Sequence, residues 1–266
     1  MKKITVLDII RMKQEGRKIP VLTAYNYPMA RMLDSAGVPV LMVGDSLGMV
    51  EAGLDSTMQV TIEEVIYHTK AVCRGRVNAL VVADMPFGSY QASLDEARAN
   101  AVRLVKEGGA EAVKLEGGAR SAHVIRAIVD MDIPVMGHIG LTPQSVNALG
   151  GYRVQGKGRM EQEKLLEDAR AVQDAGAFSM VLEAIPAALA AQITEASAIA
   201  TIGIGAGVHC DGQVLVVNDM LGMEGRLKAP KFVKKYADLN GVITKAVSDY
   251  VADVEAGAFP SKDQSY

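Results

Sequence analysis

The sequence predicts a (β/α)8 TIM barrel with an N-terminal capping helix and a C-terminal helical extension, and three observations carry that expectation. Eight short apolar runs alternate with longer segments of helical period, which is how a parallel sheet buried on both faces reads. Several of the runs end in an acid at a matched position, as expected where a site forms at the carboxyl ends of barrel strands. The length of 266 residues lies close to the typical size of one such barrel. A doubly wound open sheet would show the same alternation; the count of eight is what favours closure.

The expected strands are IPVLTAY (19–25), PVLMVGD (39–45), ALVVADM (79–85), EAVKLEG (111–117), IPVMGHI (133–139), FSMVLEA (178–184), AIATIGIG (198–205) and GQVLVVND (212–219). Before the first, TVLDIIRMKQEG reads as a helix able to plug the amino-terminal mouth of the barrel. Thr61 with Glu64 opens a helix reaching Arg76, and Ser93 with Glu96 opens LDEARANAVRLVKEG, which Gly108 and Gly109 stop. A third helix, over 160–176, ends at Gly176. The interval between the seventh and eighth strands is too short for a full crossover helix. After Asp219, a helical pattern runs through VITKAVSDYVADVEAG, suited to covering the barrel or to a contact between subunits. No linker, low-complexity stretch or shift of composition divides the chain, so one domain over 1–266 is expected.

Composition excludes several classes. The 28 basic against 31 acidic residues leave a net charge of −3, no footprint for nucleic acid or an anionic membrane. With 49% hydrophobic residues the chain has material for a large core. Cys73 and Cys210 form no metal or redox spacing and suit a reducing compartment. No run approaches the roughly 18 apolar residues that span a bilayer, and MKKITVLDIIRMK lacks the apolar stretch of a secretion signal. A cytoplasmic location is expected.

The strand ends carry the chemistry. The second ends in Gly44-Asp45-Ser46, the third in Ala83-Asp84, the fourth in Lys114-Leu115-Glu116 and the sixth in Leu182-Glu183. Gly109 precedes Glu116, and Gly176 precedes Glu183, by the same interval, so both glutamates sit at one height in repeating units. Side chains alternate along a strand, which sets Lys114 and Glu116 on the face opposite Val113 and Leu115 and points them into the barrel mouth. Converging acids repel unless a cation or a proton compensates them. Aspartates and glutamates without a Cys or His cluster favour a hard ion such as Mg²⁺. Of His68, His123, His138 and His209, only His138 lies at a strand end.

Taken singly, an acid at a strand end is usually a helix cap or a solvated loop residue, and His138 alone is more often a satisfied core residue. Together, at matched depth beside an intrastrand lysine, they suit chemistry next to a carbonyl. Mg²⁺ on Asp45 and Asp84 would take a 2-oxo acid by its carboxylate and keto oxygens, Lys114 would add positive charge, and Glu183 would serve as base. GIGAG (203–207) lacks the dinucleotide-binding spacing, and tight turning with close packing suits it at least as well as binding of an anionic ligand by backbone amides. LGGYRVQGKGR (149–159) reads equally as a mobile lid and as a plain loop. The 14 methionines read as core filler.

GDSLGMV (44–50), VVADMPFGSY (81–90), AVKLEGG (112–118), PVMGHIGLTPQ (134–144), GGYRVQGKGR (150–159), MVLEAIP (180–186), TIGIGAG and CDGQVLV (201–216) resemble the ketopantoate hydroxymethyltransferase family. LTAYNYPMAR near the start and KAPKFVKKY near the end extend the resemblance over nearly the whole chain. It implies a (β/α)8 barrel that transfers a one-carbon unit from 5,10-methylenetetrahydrofolate to 3-methyl-2-oxobutanoate, giving 2-dehydropantoate for pantothenate synthesis. It implies Mg²⁺ on Asp45 and Asp84 with Glu116 as third acid, 2-oxo-acid binding by Asp45, Ser46, Asp84 and Lys114, and Glu183 as proton acceptor. His138 matches a pocket-lining histidine, and a homodecamer is the implied assembly. VQGKGR and Asn218 depart from many relatives, on the folate side rather than the metal side.

Two other readings compete. An enzyme of the phosphoenolpyruvate mutase and isocitrate lyase kind also pairs a barrel with Mg²⁺ and a 2-oxo acid, but commonly presents a catalytic cysteine, and both cysteines here fall away from the acidic strand ends. A non-enzymatic barrel would require the acids to be inert, and fold alone permits it.

Overall fold

The computed structural model describes residues 2–223 and 230–266; positions 228 and 229, the first two of KAPKFVKKY, fall outside them. The chain divides into two compact units, residues 1–216 and 217–266.

In the first unit eight parallel strands close on themselves in sequence order. They are β1 (Ile19–Thr23), β2 (Val40–Val43), β3 (Leu80–Asp84), β4 (Ala112–Lys114), β5 (Val135–Gly140), β6 (Ser179–Glu183), β7 (Ala200–Ile204) and β8 (Gly212–Leu215). The connecting helices are α1 (Val6–Gln14) before the barrel, then α2 (Tyr27–Ser35), α3 (Leu47–Val50), α4 (Ile62–Gly75), α5 (Leu94–Arg103), α6 (Ala122–Val129), α7 (Val146–Leu149), α8 (Arg159–Asp174) and α9 (Ala187–Ala196). No helix separates β7 from β8, the abbreviated crossover expected from the short interval.

Strand periodicity sorts the side chains. Val21, Val40, Met42, Leu80, Val82, Ala112, Met136, Val181, Ile202 and Val214 form one buried cluster inside the barrel. Ile9 and Met12 of α1 belong to the same cluster, so α1 packs its apolar stripe under the amino-terminal mouth, as its spacing predicts. Continuing the same parity towards the carboxyl ends replaces apolar residues with Asp84, Lys114, Glu116, His138 and Glu183.

The helix ends follow local chemistry, with three departures. Thr61 forms the full reciprocal box with Glu64. At Ser93 only half of it forms: the hydroxyl accepts from the Glu96 amide at 3.2 Å, and no return bond from the Glu96 side chain accompanies it. The helix opened there passes at Leu104–Gly108 into a π-helical turn before Gly109 takes a left-handed φ of 83°. The strand expected over 212–219 stops at Leu215, and Val217–Leu221 is the short helix α10; a brief apolar run such as VLVV suits either conformation, and periodicity cannot separate them.

The second unit holds α10 and α11 (Leu239–Glu255). Asp238 caps α11 by accepting from the Gly241 amide. From Asn240 onwards every residue of α11 is exposed, and Ile243, Val247, Tyr250, Val251 and Val254 share one apolar stripe at helical spacing.

Candidate active site

At the carboxyl end of the barrel, Asp45, Asp84, Lys114, Glu116 and His138 are all buried, none more than 4% exposed. The turn after β2 brings them together. Gly44 carries no Cβ, and one placed there would stand 2.8 Å from Ser46 Oγ and 3.5 Å from Asp84 Oδ2, so the bare backbone lets Asp84 approach the turn. The Asp45 amide donates to Asp84 Oδ2 at 3.0 Å, and Lys114 Nζ lies 3.2 Å from the same oxygen. Parallel pairing of Asp84 with Lys114 across β3 and β4 fixes that contact.

From Lys114 the cluster runs on to β5 and β6. His138 Nδ1 lies 3.4 Å from Lys114 Nζ and 3.5 Å from Glu116 Oε1, and its Nε2 lies 3.2 Å from Glu183 Oε2. This last approach is an ionic contact and not an aligned hydrogen bond, which leaves Nε2 without a hydrogen-bond partner. Ala184, directly after Glu183, holds a left-handed φ of 47°, an unfavourable conformation for a residue with a Cβ and one often found beside functional groups.

The electrostatics follow from burial and crowding. Burial raises the Asp45 carboxyl, the charges of Asp84 and Glu116 add to it, and it reaches about 8 against the pull of Lys114 and Gln144. Burial likewise lifts Asp84, more than Lys114 and the Asp45 amide offset. Burial acts against Glu116 too, yet His138 and Lys114 hold it below the ordinary range. Burial and Lys114 both oppose charge on His138, but the Glu116 and Glu183 carboxylates prevail and raise it to about 9. Lys114 stays charged because its acidic neighbours outweigh its burial.

The residues present fit a divalent cation. Asp45, Asp84, Glu116 and Glu183 gather around Lys114 and His138, and the crowding that lifts Asp45 and Asp84 is what a bound cation would relieve. Asp84 Oδ1 is buried without a hydrogen-bond partner, a costly arrangement unless something fills it. The donors are hard oxygens. Among the described residues, no three His, Cys, Asp or Glu side chains are already gathered into a ligand cluster.

Three neutral residues that sequence reasoning did not single out bind the cluster together. Gln144 donates from Nε2 to Asp45 Oδ2 at 2.9 Å and to the Met85 carbonyl at 3.0 Å, while its backbone amide donates to Glu116 Oε2 at 3.0 Å. The Tyr90 hydroxyl accepts from the Glu116 amide at 3.1 Å and donates to Gln144 Oε1 at 2.8 Å. Tyr25, 1% exposed, meets Ser46 through a 2.8 Å hydroxyl–hydroxyl hydrogen bond. Each lies in or beside a motif already noted, but an uncharged side chain in a loop carries no signal of its own before folding brings it to a partner.

The two ambiguous glycine segments differ. Gly205 and Gly207 turn the chain at positive φ, and a Cβ on Gly207 would meet that of Ala187 at 2.5 Å, so GIGAG serves close packing. In the 149–159 segment the Gln155 amide donates to the Ala184 carbonyl at 2.9 Å, tying that loop to the residue after Glu183.

A family model described as ketopantoate hydroxymethyltransferase matches residues 3–262. The chain is 58% identical over 265 residues to a 3-methyl-2-oxobutanoate hydroxymethyltransferase of Geobacter metallireducens, covering 100% of this chain and 99% of the relative. It is 60% identical over 265 residues to the enzyme of the same name from Geotalea daltonii, with 100% and 99% covered. Among solved structures, a phosphonopyruvate hydrolase complexed with oxalate and Mg²⁺ superposes with a TM-score of 0.63 at 11% identity, over 98% of this chain and 93% of that one. An oxaloacetate acetylhydrolase gives 0.60 at 14% identity, over 98% and 100%. At such identities the likeness is one of fold alone.

Proposed function

Because the chain belongs to the ketopantoate hydroxymethyltransferase family, we propose that it transfers a hydroxymethyl group from 5,10-methylenetetrahydrofolate to 3-methyl-2-oxobutanoate, yielding 2-dehydropantoate and tetrahydrofolate. The observation that carries this reading is identity near 60% with enzymes of that name along the full chain. The cluster of buried acids around Lys114 supports the residue roles that follow.

Glu183 takes the C3 proton of the 2-oxo acid, as the carboxylate at the end of β6 that contacts His138 and is open to solvent at 15% side-chain exposure. His138, between Glu116 and Glu183, holds that carboxylate in place. Lys114 supplies positive charge where the keto oxygen gains electron density, and Ser46, fixed by Tyr25, offers its hydroxyl to the substrate. Asp45 and Asp84, with Glu116 beside them, would hold Mg²⁺, which when bound supplies Lewis-acid polarisation of the keto group.

The electron pair released from the C3–H bond forms the new carbon–carbon bond to the folate methylene carbon. Both carbon–nitrogen bonds to that carbon break. One folate nitrogen receives the proton that Glu183 removed, the other a proton from water, and the water oxygen becomes the new hydroxyl.

Homo-oligomeric assembly, as a decamer, belongs to the same reading and is supported by the exposed apolar stripe of α11; native mass spectrometry measures it. So do a cytoplasmic location, supported by two free thiols, and a single functional domain over 1–266, which limited proteolysis tests. Among the described residues, no helix is long and apolar enough to cross a membrane. The reaction is tested by incubating the protein with 3-methyl-2-oxobutanoate, 5,10-methylenetetrahydrofolate and Mg²⁺. Mass spectrometry should then find folate-dependent 2-dehydropantoate; its absence would contradict the reading.

A further inference from the structure

We propose that the cavity above Glu116 and Gln144 is the binding site of the one-carbon donor, a reduced pteridine that carries an aryl amide and an anionic tail. The inference rests on the hydroxymethyltransferase reading and assigns to it residues that the acid cluster alone does not identify.

The cavity measures about 450 Å³, within the range of small-molecule sites. Its floor is Glu116, Tyr90 and Gln144, all buried and all hydrogen-bonded within the acid cluster. Of the acid cluster Glu116 itself lines the cavity, and Gln144 joins it to Asp45 through a 2.9 Å hydrogen bond, so a molecule resting there adjoins the cluster that the methylene carbon has to reach. The donors of Tyr90 and Gln144 are committed within the cluster, and the Glu116 carboxylate keeps acceptor capacity for the N–H edge of a pteridine.

Phe87 and Met58 line the cavity from the segments after β3 and α3. Phe87 is 44% exposed and, among the described residues, stacks on no other ring. A large apolar ring left bare beside a polar floor suits a flat heteroaromatic ligand. Arg120 stands at the edge, exposed, with its guanidinium bonded to Ser145 Oγ at 2.7 Å. Among the described residues no carboxylate pairs with it, so it is free to meet the carboxylates of a glutamyl tail.

Arg120 also borders a second cavity of about 300 Å³, lined by Glu161, Lys164, Glu167 and Asp168. Acids outnumber bases there, which disfavours an anionic tail, and none of Asp45, Asp84, Lys114, Glu116, His138 or Glu183 reaches it. The larger cavity is therefore the one assigned to the donor.

The test is calorimetric titration of the full-length enzyme with tetrahydrofolate and with tetrahydropteroate, which lacks the glutamyl tail, alongside C3 deuteration of 3-methyl-2-oxobutanoate by the unaltered enzyme. Phe87→Ala should weaken both folates by about five- to tenfold. Arg120→Ala should weaken tetrahydrofolate by about the same factor and tetrahydropteroate by less than about twofold. Lys164→Ala, in the neighbouring cavity, should change neither. Unaltered tetrahydrofolate affinity in both Phe87→Ala and Arg120→Ala, or a loss confined to Lys164→Ala, would overturn the assignment while wild-type deuteration leaves the hydroxymethyltransferase reading standing. A wild-type enzyme that neither binds tetrahydrofolate nor deuterates the oxo acid would remove that reading and the assignment with it. All the substituted side chains reach the surface or a cavity, and thermal midpoints close to wild type show that each variant folds.

Discussion

His138 Nε2 stands 3.2 Å from Glu183 Oε2 while the other ring nitrogen, Nδ1, lies 3.5 Å from Glu116 Oε1. One imidazole thus lies between an acid proposed to stand beside Mg²⁺ and the acid proposed to remove the proton. Burial and Lys114 oppose its charge, yet the two carboxylates raise it to about 9. On the proposed reading, a positively charged ring would serve as the partner that positions Glu183.

Replacing the ring by an uncharged amide tests that role. His138→Gln should lower the rate of C3 deuteration about 10- to 100-fold, the range for losing a charge-assisted contact, with a much smaller change in the dissociation constant of the oxo acid. Parallel exchange kinetics and calorimetry separate the two quantities. Equal losses in both would make His138 a binding residue instead.

Gln144 connects Asp45, the Met85 carbonyl and Tyr90 through one amide. Gln144→Ala keeps the backbone bond to Glu116 but leaves buried polar partners unpaired, costing about 1–3 kcal/mol of stability. Mg²⁺ affinity should fall by roughly 10- to 100-fold, as for other residues that orient metal ligands. Urea denaturation and Mg²⁺ titration measure the two effects; a variant indistinguishable from wild type in both would make the amide incidental.

Away from the site, Asp34 on α2 accepts the backbone amides of Val77, Asn78 and Ala79 at 3.1, 2.9 and 2.6 Å, fastening the entry to β3. Burial acts to raise its carboxyl, but these amides hold it below its ordinary value. A depressed folded value means stabilisation that is present above the unfolded value and lost as pH falls through the folded one. Asp34→Ala should therefore cost about 2–4 kcal/mol at pH 7, and the gap to wild type should narrow below about pH 4. Urea midpoints at pH 7 and in acid check this; a gap independent of pH would contradict it.

The crossing of α2 and α4 depends on Gly75. A Cβ there would stand 2.5 Å from the Tyr27 carbonyl oxygen and 2.9 Å from Ala30 Cβ. Backbone cannot rotate aside as a side chain can, so Gly75→Ala should destabilise by about 1–3 kcal/mol. Denaturation midpoints measure it, and an unchanged midpoint would show that the helices separate freely.

Much of this was legible beforehand because strand alternation is a strict rule. Parity alone sent Lys114 and Glu116 inwards and Val113 and Leu115 outwards, and the cluster around Lys114 repeats that division. Gln144, Tyr90 and Tyr25 were not legible, since nothing local tells a neutral loop residue that its partner lies on another strand. The early end of β8 at Leu215 escaped for a different reason: an apolar run is too short to choose between strand and helix. The missing half of the Ser93 box shows the same limit at one side chain, where spacing permits a bond that the rotamer does not make.

The most direct test of the central claim is proton NMR of 3-methyl-2-oxobutanoate in D₂O with wild type and Glu183→Gln, with and without tetrahydrofolate. Wild type with Mg²⁺ should replace the C3 proton by deuterium, and chelation of the metal should stop it. Glu183→Gln should still bind the oxo acid but exchange it at least about 100-fold more slowly. Deuteration by Glu183→Gln at the wild-type rate would contradict the account and remove Glu183 from the role of base.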